Sequence, residues 1–170
     1  MNPVGGANYR FTSGFGPRTN PVTGEYQSLH NGLDLAVPTG TPILSVAAGT
    51  VVTSGYTDVN GNWIKVDHGN GYMSAYLHLS ERRVQAGQKV SQGEVLGLSG
   101  STGRSTGPHL HFILYQNGIP VDPKGLVNWV LTAASSSPAV RWGVVAALAV
   151  IVPLVAFSWR SRANLERGGV

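Results

Sequence analysis

Residues 1–131 carry little helical periodicity and are cut every few residues by glycine, which steers the chain toward short strands joined by tight turns. GTVVTSGY (49–56), NWIKVDH (62–68) and GYMSAYLHL (71–79) are β-branched or aromatic runs separated by Asp-Val-Asn-Gly and Gly-Asn-Gly turns. HLHFILYQNG (109–118) is a further run, in which His109, His111, Ile113 and Tyr115 share one face by the two-residue period of a strand. Between the third and last runs, VQAGQKVSQGEVLGLSGSTG spaces its glycines as tight turns and strand crossings do. The expectation is an all-β antiparallel domain, a sandwich or barrel-like form.

Composition then divides the chain into zones. Residues 1–131 read as one domain, 132–139 (TAASSSPA) as a flexible linker, 140–160 as a transmembrane helix and 161–170 as a short basic tail. The apolar run WGVVAALAVIVPLVAFSW (142–159) holds no charge, and as a helix it would reach ~27 Å, enough for the hydrocarbon core of a bilayer. Trp142 and Trp159 stand at its ends, and Arg141, Arg160 and Arg162 bracket it. Residues 1–139 carry eight Lys or Arg against seven Asp or Glu, so the formal charge of +4 belongs mostly to the tail. Without a basic stripe on the domain, nucleic acid is not an expected partner.

The chain contains no cysteine, so any metal must be held by His, Asp or Glu. Five histidines are present, and four of them, His30, His78, His109 and His111, fall with Asp34 in contexts that suit one metal site. In His30-Asn-Gly-Leu-Asp34 the Asn-Gly pair argues against a helix, so a looped or extended segment must bring imidazole and carboxylate together. His109-Leu-His111 places two imidazoles on one face of a strand, where one can ligate while the other faces the reacting atoms. Two histidines and an aspartate with a fourth position left to water is the catalytic pattern for zinc. His68, next to the Gly-Asn-Gly turn, is left out of the site on turn geometry; Arg104, Ser105 and Thr106 precede the metal strand and can touch substrate.

Four segments, SGFGPR (13–18), HNGLDLAVPTGTPILSVAAGTV (30–51), HGNGYMSAYLHL (68–79) and GRSTGPHLHF (103–112), together resemble the lysostaphin/LytM-type zinc endopeptidases, over about residues 10–125. The resemblance implies a metallopeptidase fold and the hydrolysis of peptide cross-links or stem peptides of bacterial peptidoglycan by metal-activated water. It implies that His30, Asp34 and His111 are the Zn2+ ligands, and that His78 and His109 are the non-ligand catalytic histidines. A non-catalytic cell-wall-binding or amidase-activating module on the same fold is the alternative, and it would be expected to have lost ligands. A lipoyl or biotinyl carrier hairpin is disfavoured, because Lys89 lacks the Met-flanked setting of a modified lysine.

The N-terminus, MNPVGGANYRFTSGFG, shows no apolar core of a signal peptide, and with SGFGPR so near the start the expectation is that the occluding segment of some latent relatives is absent. The arginines after the span favour an external domain, yet nothing before it would export one. The expected location is therefore a membrane, by a single C-terminal pass, in either a virion or a bacterial inner membrane; a virion would reconcile an external enzyme with a missing leader.

Overall fold

The structure, a computed structural model, describes residues 1–26 and 28–124. Thirteen strands follow in chain order: β1 (Arg10–Ser13), β2 (Gly16–Arg18), β3 (Ser28–His30), β4 (Leu33–Ala36), β5 (Pro42–Leu44), β6 (Gly49–Thr57), β7 (Gly61–Gly69), β8 (Tyr72–Leu79), β9 (Glu81–Arg82), β10 (Lys89–Val90), β11 (Val95–Leu98), β12 (His109–Gln116) and β13 (Ile119–Val121). All pairings among them are antiparallel. Every run expected to be a strand is one, and no helix occurs among the described residues. None of them therefore forms a helix able to cross a membrane, and the expected linker, transmembrane helix and tail at 132–170 lie outside the described residues.

The large sheet runs β1-β4-β12-β8-β7-β6-β10, with β13 beside β12, and is open rather than closed into a barrel. A three-stranded sheet, β5-β11-β9, contributes Ile43 and Leu96 to a core that Val51, Ile64, Tyr76, Leu110 and Phe112 build from the large sheet. The result is an unequal sandwich in which one face of the large sheet is covered by the small one. Residues of opposite parity turn to the other face, where Ala75, Leu77 and Ile113 form a second apolar cluster with Trp63 and Tyr115 against it. His111 and Asp34 belong to that second face, directly opposite one another across β12 and β4. Arg82 lies in β9, and Arg83 just after it pairs with Glu81 at 3.0 Å.

One irregularity decides where a functional residue points. Along β7 and β8, Asn62 pairs with Leu79 and Ile64 with Tyr76, so three steps on β8 face two on β7. This is a β-bulge, and within it His78 takes φ 63°, a left-handed conformation rare for a non-glycine residue. Its effect is to turn Leu77 and His78, adjacent in sequence, both toward the second face, while Leu79 returns to the core. Alternation alone would have sent His78 into the core.

Candidate active site

His30 at the end of β3, Asp34 in β4 and His111 in β12 converge, and their donor atoms lie within 4.8 Å of one another. His111 Nδ1 is 2.7 Å from Asp34 Oδ1, His30 Nε2 is 3.2 Å from the same oxygen, and the two imidazole nitrogens are 3.1 Å apart. All three side chains are buried.

The partners of the remaining atoms explain why these three face inward. His30 donates its Nδ1–H to the Gly14 carbonyl at 2.5 Å, and His111 donates its Nε2–H to Asn31 Oδ1 at 3.1 Å. Those bonds spend the one proton of each neutral ring and leave His30 Nε2 and His111 Nδ1 as bare lone pairs. Arg18 Nη1 holds Asp34 Oδ2 at 2.8 Å and also donates to Ser13 Oγ at 2.6 Å, which keeps Oδ1 as the inward oxygen. Three lone pairs thus point at one place with no donor between them, an arrangement that repels itself unless a cation sits there. Ligand atoms ~2.0–2.1 Å from a tetrahedral zinc lie ~3.3 Å from each other, close to the separations found. The donor set fits a divalent ion.

Charge follows the same logic. Burial opposes ionisation of Asp34, but whenever His111 and His30 carry a proton on the inward nitrogen their hydrogen bonds and charge outweigh it and hold the carboxyl well below the usual carboxylate range. Burial pushes the His111 imidazole below its ordinary value, against the pull of Asp34.

His78 and His109 stand beside this centre, their rings 4.8 Å apart. His78 donates Nδ1–H to the Thr102 carbonyl at 2.8 Å, and His109 donates Nδ1–H to the Gly107 carbonyl at 2.8 Å. Both therefore present Nε2 to the site, and His109 Nε2 comes within 3.8 Å of Asp34 Oδ1. Burial lowers the His78 pKa to about 4, so at neutral pH its ring is uncharged and able to accept a proton. Ser105 Oγ lies 3.2 Å from His109 Nδ1 and, with Arg104 and Thr106, lines the cleft, as expected of that loop.

Two sequence inferences change in their reasons. His68 is outside the site, but turn geometry does not account for it: the ring is buried, donating Nδ1–H to the Ala48 carbonyl at 3.0 Å and meeting Ser74 Oγ at 2.7 Å. Ser74 continues to the Tyr76 hydroxyl at 3.0 Å, making a polar thread through the core. Gly32, read from sequence as part of an Asn-Gly pair that excludes a helix, has a packing reason: a Cβ there would overlap the Phe112 carbonyl of β12, so its absence lets β12 approach. Arg18, Ser13 and Asn31 were not singled out from sequence, although each lies inside a quoted segment; an arginine placed before a His-x₃-Asp ligand pair was the available signal.

A cleft of about 500 Å3 crosses this face, with Trp63, Leu77, Ile113 and Tyr115 on its apolar side and the four histidines at its centre. A second depression of about 420 Å3, reaching Arg10, Thr12 and Pro108, shares Arg18, Asp34 and His109 with it. The two depressions meet at Arg18, Asp34 and His109, beside the centre.

Comparison with known proteins agrees with this geometry. The sequence pattern of Peptidase family M23 matches residues 28–123. The chain is 48% identical over 117 residues to the peptidoglycan DD-endopeptidase ShyA of Vibrio cholerae serotype O1, covering 68% of this chain and 27% of that protein. It is 45% identical over 114 residues to the DD-carboxypeptidase/endopeptidase Mpg of Neisseria meningitidis serogroup B, covering 67% and 26%. The fold superposes on the catalytic domain of the antimicrobial peptidase lysostaphin from Staphylococcus simulans with a TM-score of 0.63 at 34% identity, covering 71% of this chain and 93% of that domain. A zinc-containing peptidase from Vibrio cholerae gives 0.62 at 43% identity, covering 67% and 36%. The chain spans about a quarter of the length of the curated relatives it matches. With the metal-type centre, its two flanking histidines and the match across β3 to β13 in one frame, the chain belongs to peptidase family M23.

Proposed function

We propose that this chain is a zinc-dependent endopeptidase that hydrolyses peptide cross-links of bacterial peptidoglycan, held to a membrane by residues 140–160. The observation that carries the reaction is the convergence of three lone pairs, from His30, Asp34 and His111, beside two imidazoles with free Nε2 atoms. In this reading His30, Asp34 and His111 are the metal ligands, and His78 and His109 act on the substrate. Zinc held there supplies Lewis acidity and makes water nucleophilic near neutral pH. His78 and His109, both with Nδ1–H tied to a backbone carbonyl and Nε2 turned to the site, take the proton of the attacking water between them. Their rings, 4.8 Å apart, are near enough to share in returning a proton to the departing amine. Two depressions meeting beside the centre leave room for substrate in more than one direction, which supports cleavage within a chain. The DD-endopeptidase relatives point to the bond between two D-configured centres as the one cut.

The strained conformation of His78 speaks against a purely structural, wall-binding role, since backbone strain of this kind persists where a side chain must point into a site. Incubating the zinc-loaded full chain with purified peptidoglycans of different cross-bridge chemistry, with mass spectra of the released fragments, tests the reaction and its bond together. His30→Ala, Asp34→Ala and His111→Ala should lose zinc and turnover, whereas His78→Ala and His109→Ala should keep zinc and lose turnover. Intact sacculi after incubation with metal-loaded protein would end the proposal. The apolar run flanked by Trp142 and Trp159 supports the anchor, in a virion or bacterial inner membrane. Protease accessibility of the domain in intact particles or spheroplasts tests that part.

A further inference from the structure

Beside the cleft stands positive charge that the chain itself leaves unanswered. Lys65 does not itself line the cleft but lays its ammonium 4.4 Å from the centre of the ring of Tyr115, which does. Arg104 lines the same cleft from the loop before β12. Among the described residues no carboxylate lies within 4.0 Å of either side chain's nitrogens. Asp67, two residues along β7, accepts the Gly69 amide at 2.8 Å. Asp34 is the only acid lining the cleft among the described residues, and Arg18 already holds it. Between the metal centre and Lys65 the floor is apolar, formed by Leu77, Ala75 and Ile113. A cation at the end of an apolar floor attracts a ligand with a small apolar stretch and then a negative charge.

The register fixes the spacing. Lys65 pairs with Ala75, Ala75 with Ile113, and Ile113 lies two residues beyond His111 on β12. With strands ~4.8 Å apart and ~3.3 Å per residue, the Lys65 backbone stands ~12 Å from that of His111. An extended peptide covers that in three to four residues at ~3.5 Å each. We propose that Lys65, braced on Tyr115, is a specificity-determining residue that reads a free carboxylate three to four residues from the scissile bond. This rests on the endopeptidase reading above and narrows its substrate to acidic, unamidated stem peptides.

The test uses the full zinc-loaded chain and two soluble cross-linked peptidoglycan peptides identical but for one group, a free carboxylate or its amide. Cleavage and equilibrium binding are both measured for the wild type, Lys65→Met and Lys65→Arg. Zinc content and melting temperature confirm that each variant is folded. The expected result is a preference of about two- to fivefold for the free acid in the wild type, the size of one part-exposed charge pair. That preference should fall to about onefold in Lys65→Met, return in Lys65→Arg, and shrink with added salt. A wild type indifferent to amidation, or a Lys65→Met variant that keeps the preference, overturns the inference. If neither peptide is cut, the endopeptidase reading fails, and the binding ratios alone still decide the role of Lys65.

Discussion

A left-handed histidine in the middle of a strand makes an unusual stability prediction. His78 has φ 63°, its amide donates to the Asn60 carbonyl at 2.9 Å, and its ring donates to the Thr102 carbonyl at 2.8 Å. A non-glycine residue in that region costs about 1–2 kcal/mol, whereas glycine adopts it freely. His78→Ala removes the ring's hydrogen bond, worth about 0.5–1.5 kcal/mol net, and keeps the strain. His78→Gly loses the same bond, relieves the strain, and adds about 0.5–1 kcal/mol of backbone entropy cost. The balance leaves the glycine variant more stable than the alanine variant by about 0.5–1 kcal/mol. At an ordinary strand position the sign is reversed, with glycine the worse by a similar amount. Urea unfolding of the two variants, zinc-free and in one buffer, reads the difference directly, and a melting shift of a few degrees should accompany it. Both variants should be inactive. An alanine variant more stable than the glycine variant would refute the bulge and, with it, the argument that strain aims this imidazole at the substrate.

Other consequences follow from the same contacts. Arg18→Met should weaken zinc binding about 10- to 100-fold by freeing Asp34 Oδ2, with Arg18→Lys intermediate; competition with a chromophoric chelator measures it, and an unchanged affinity would show that Arg18 does not set the carboxylate. Gly32→Ala should destabilise the domain by at least about 2 kcal/mol and lower zinc occupancy, because the Phe112 carbonyl must move and His111 with it; denaturant unfolding and metal analysis check both. Burial lowers the His68 pKa from 6.5, so the unfolded chain binds its proton more readily than the folded one. The stability tied to His68 is therefore complete above pH 6.5 and declines as pH falls toward the lowered value, by up to about 1.4 kcal/mol per pH unit. Zinc-free wild type should lose stability below that pH more steeply than His68→Gln, and parallel curves would refute the assignment.

What could be read from sequence was what depends on period. The four long runs gave the central strands of the large sheet, because alternation of apolar residues is a property of a strand by itself. The same period put His109 and His111 on one face, as the structure has them. Short strands such as Gly16–Arg18 and Pro42–Leu44 were not legible, since three residues cannot display a period and are held only by their partners. The direction of His78 was hidden for the opposite reason: the period was clear, and a bulge set by the facing strand broke it. The partners of Asp34 and His30 depend on the β1–β2 segment folding back over β4, a contact between residues far enough apart that no local pattern records it.

The two faces of the large sheet show why such a centre can be assembled so early in a chain of this kind. Register, once fixed by burying Leu35, Leu110, Phe112 and Tyr76 against the small sheet, leaves no freedom for the opposite parity. Asp34 must then face His111, and Leu77 must lie beside it, whatever the metal does. The protons are fixed in the same way, because Gly14 and Asn31 each claim the outer nitrogen of a ligand imidazole before any ion arrives. What the cation contributes is relief of the repulsion among three converging lone pairs, so zinc binding should stabilise a centre whose strands are already in place. A zinc-free domain that retains its β-sheet signal and its cooperative unfolding, and gains melting temperature on adding zinc, is the expected behaviour. Loss of all cooperative structure on chelation would mean instead that the metal organises the sheet, and the register argument would fail.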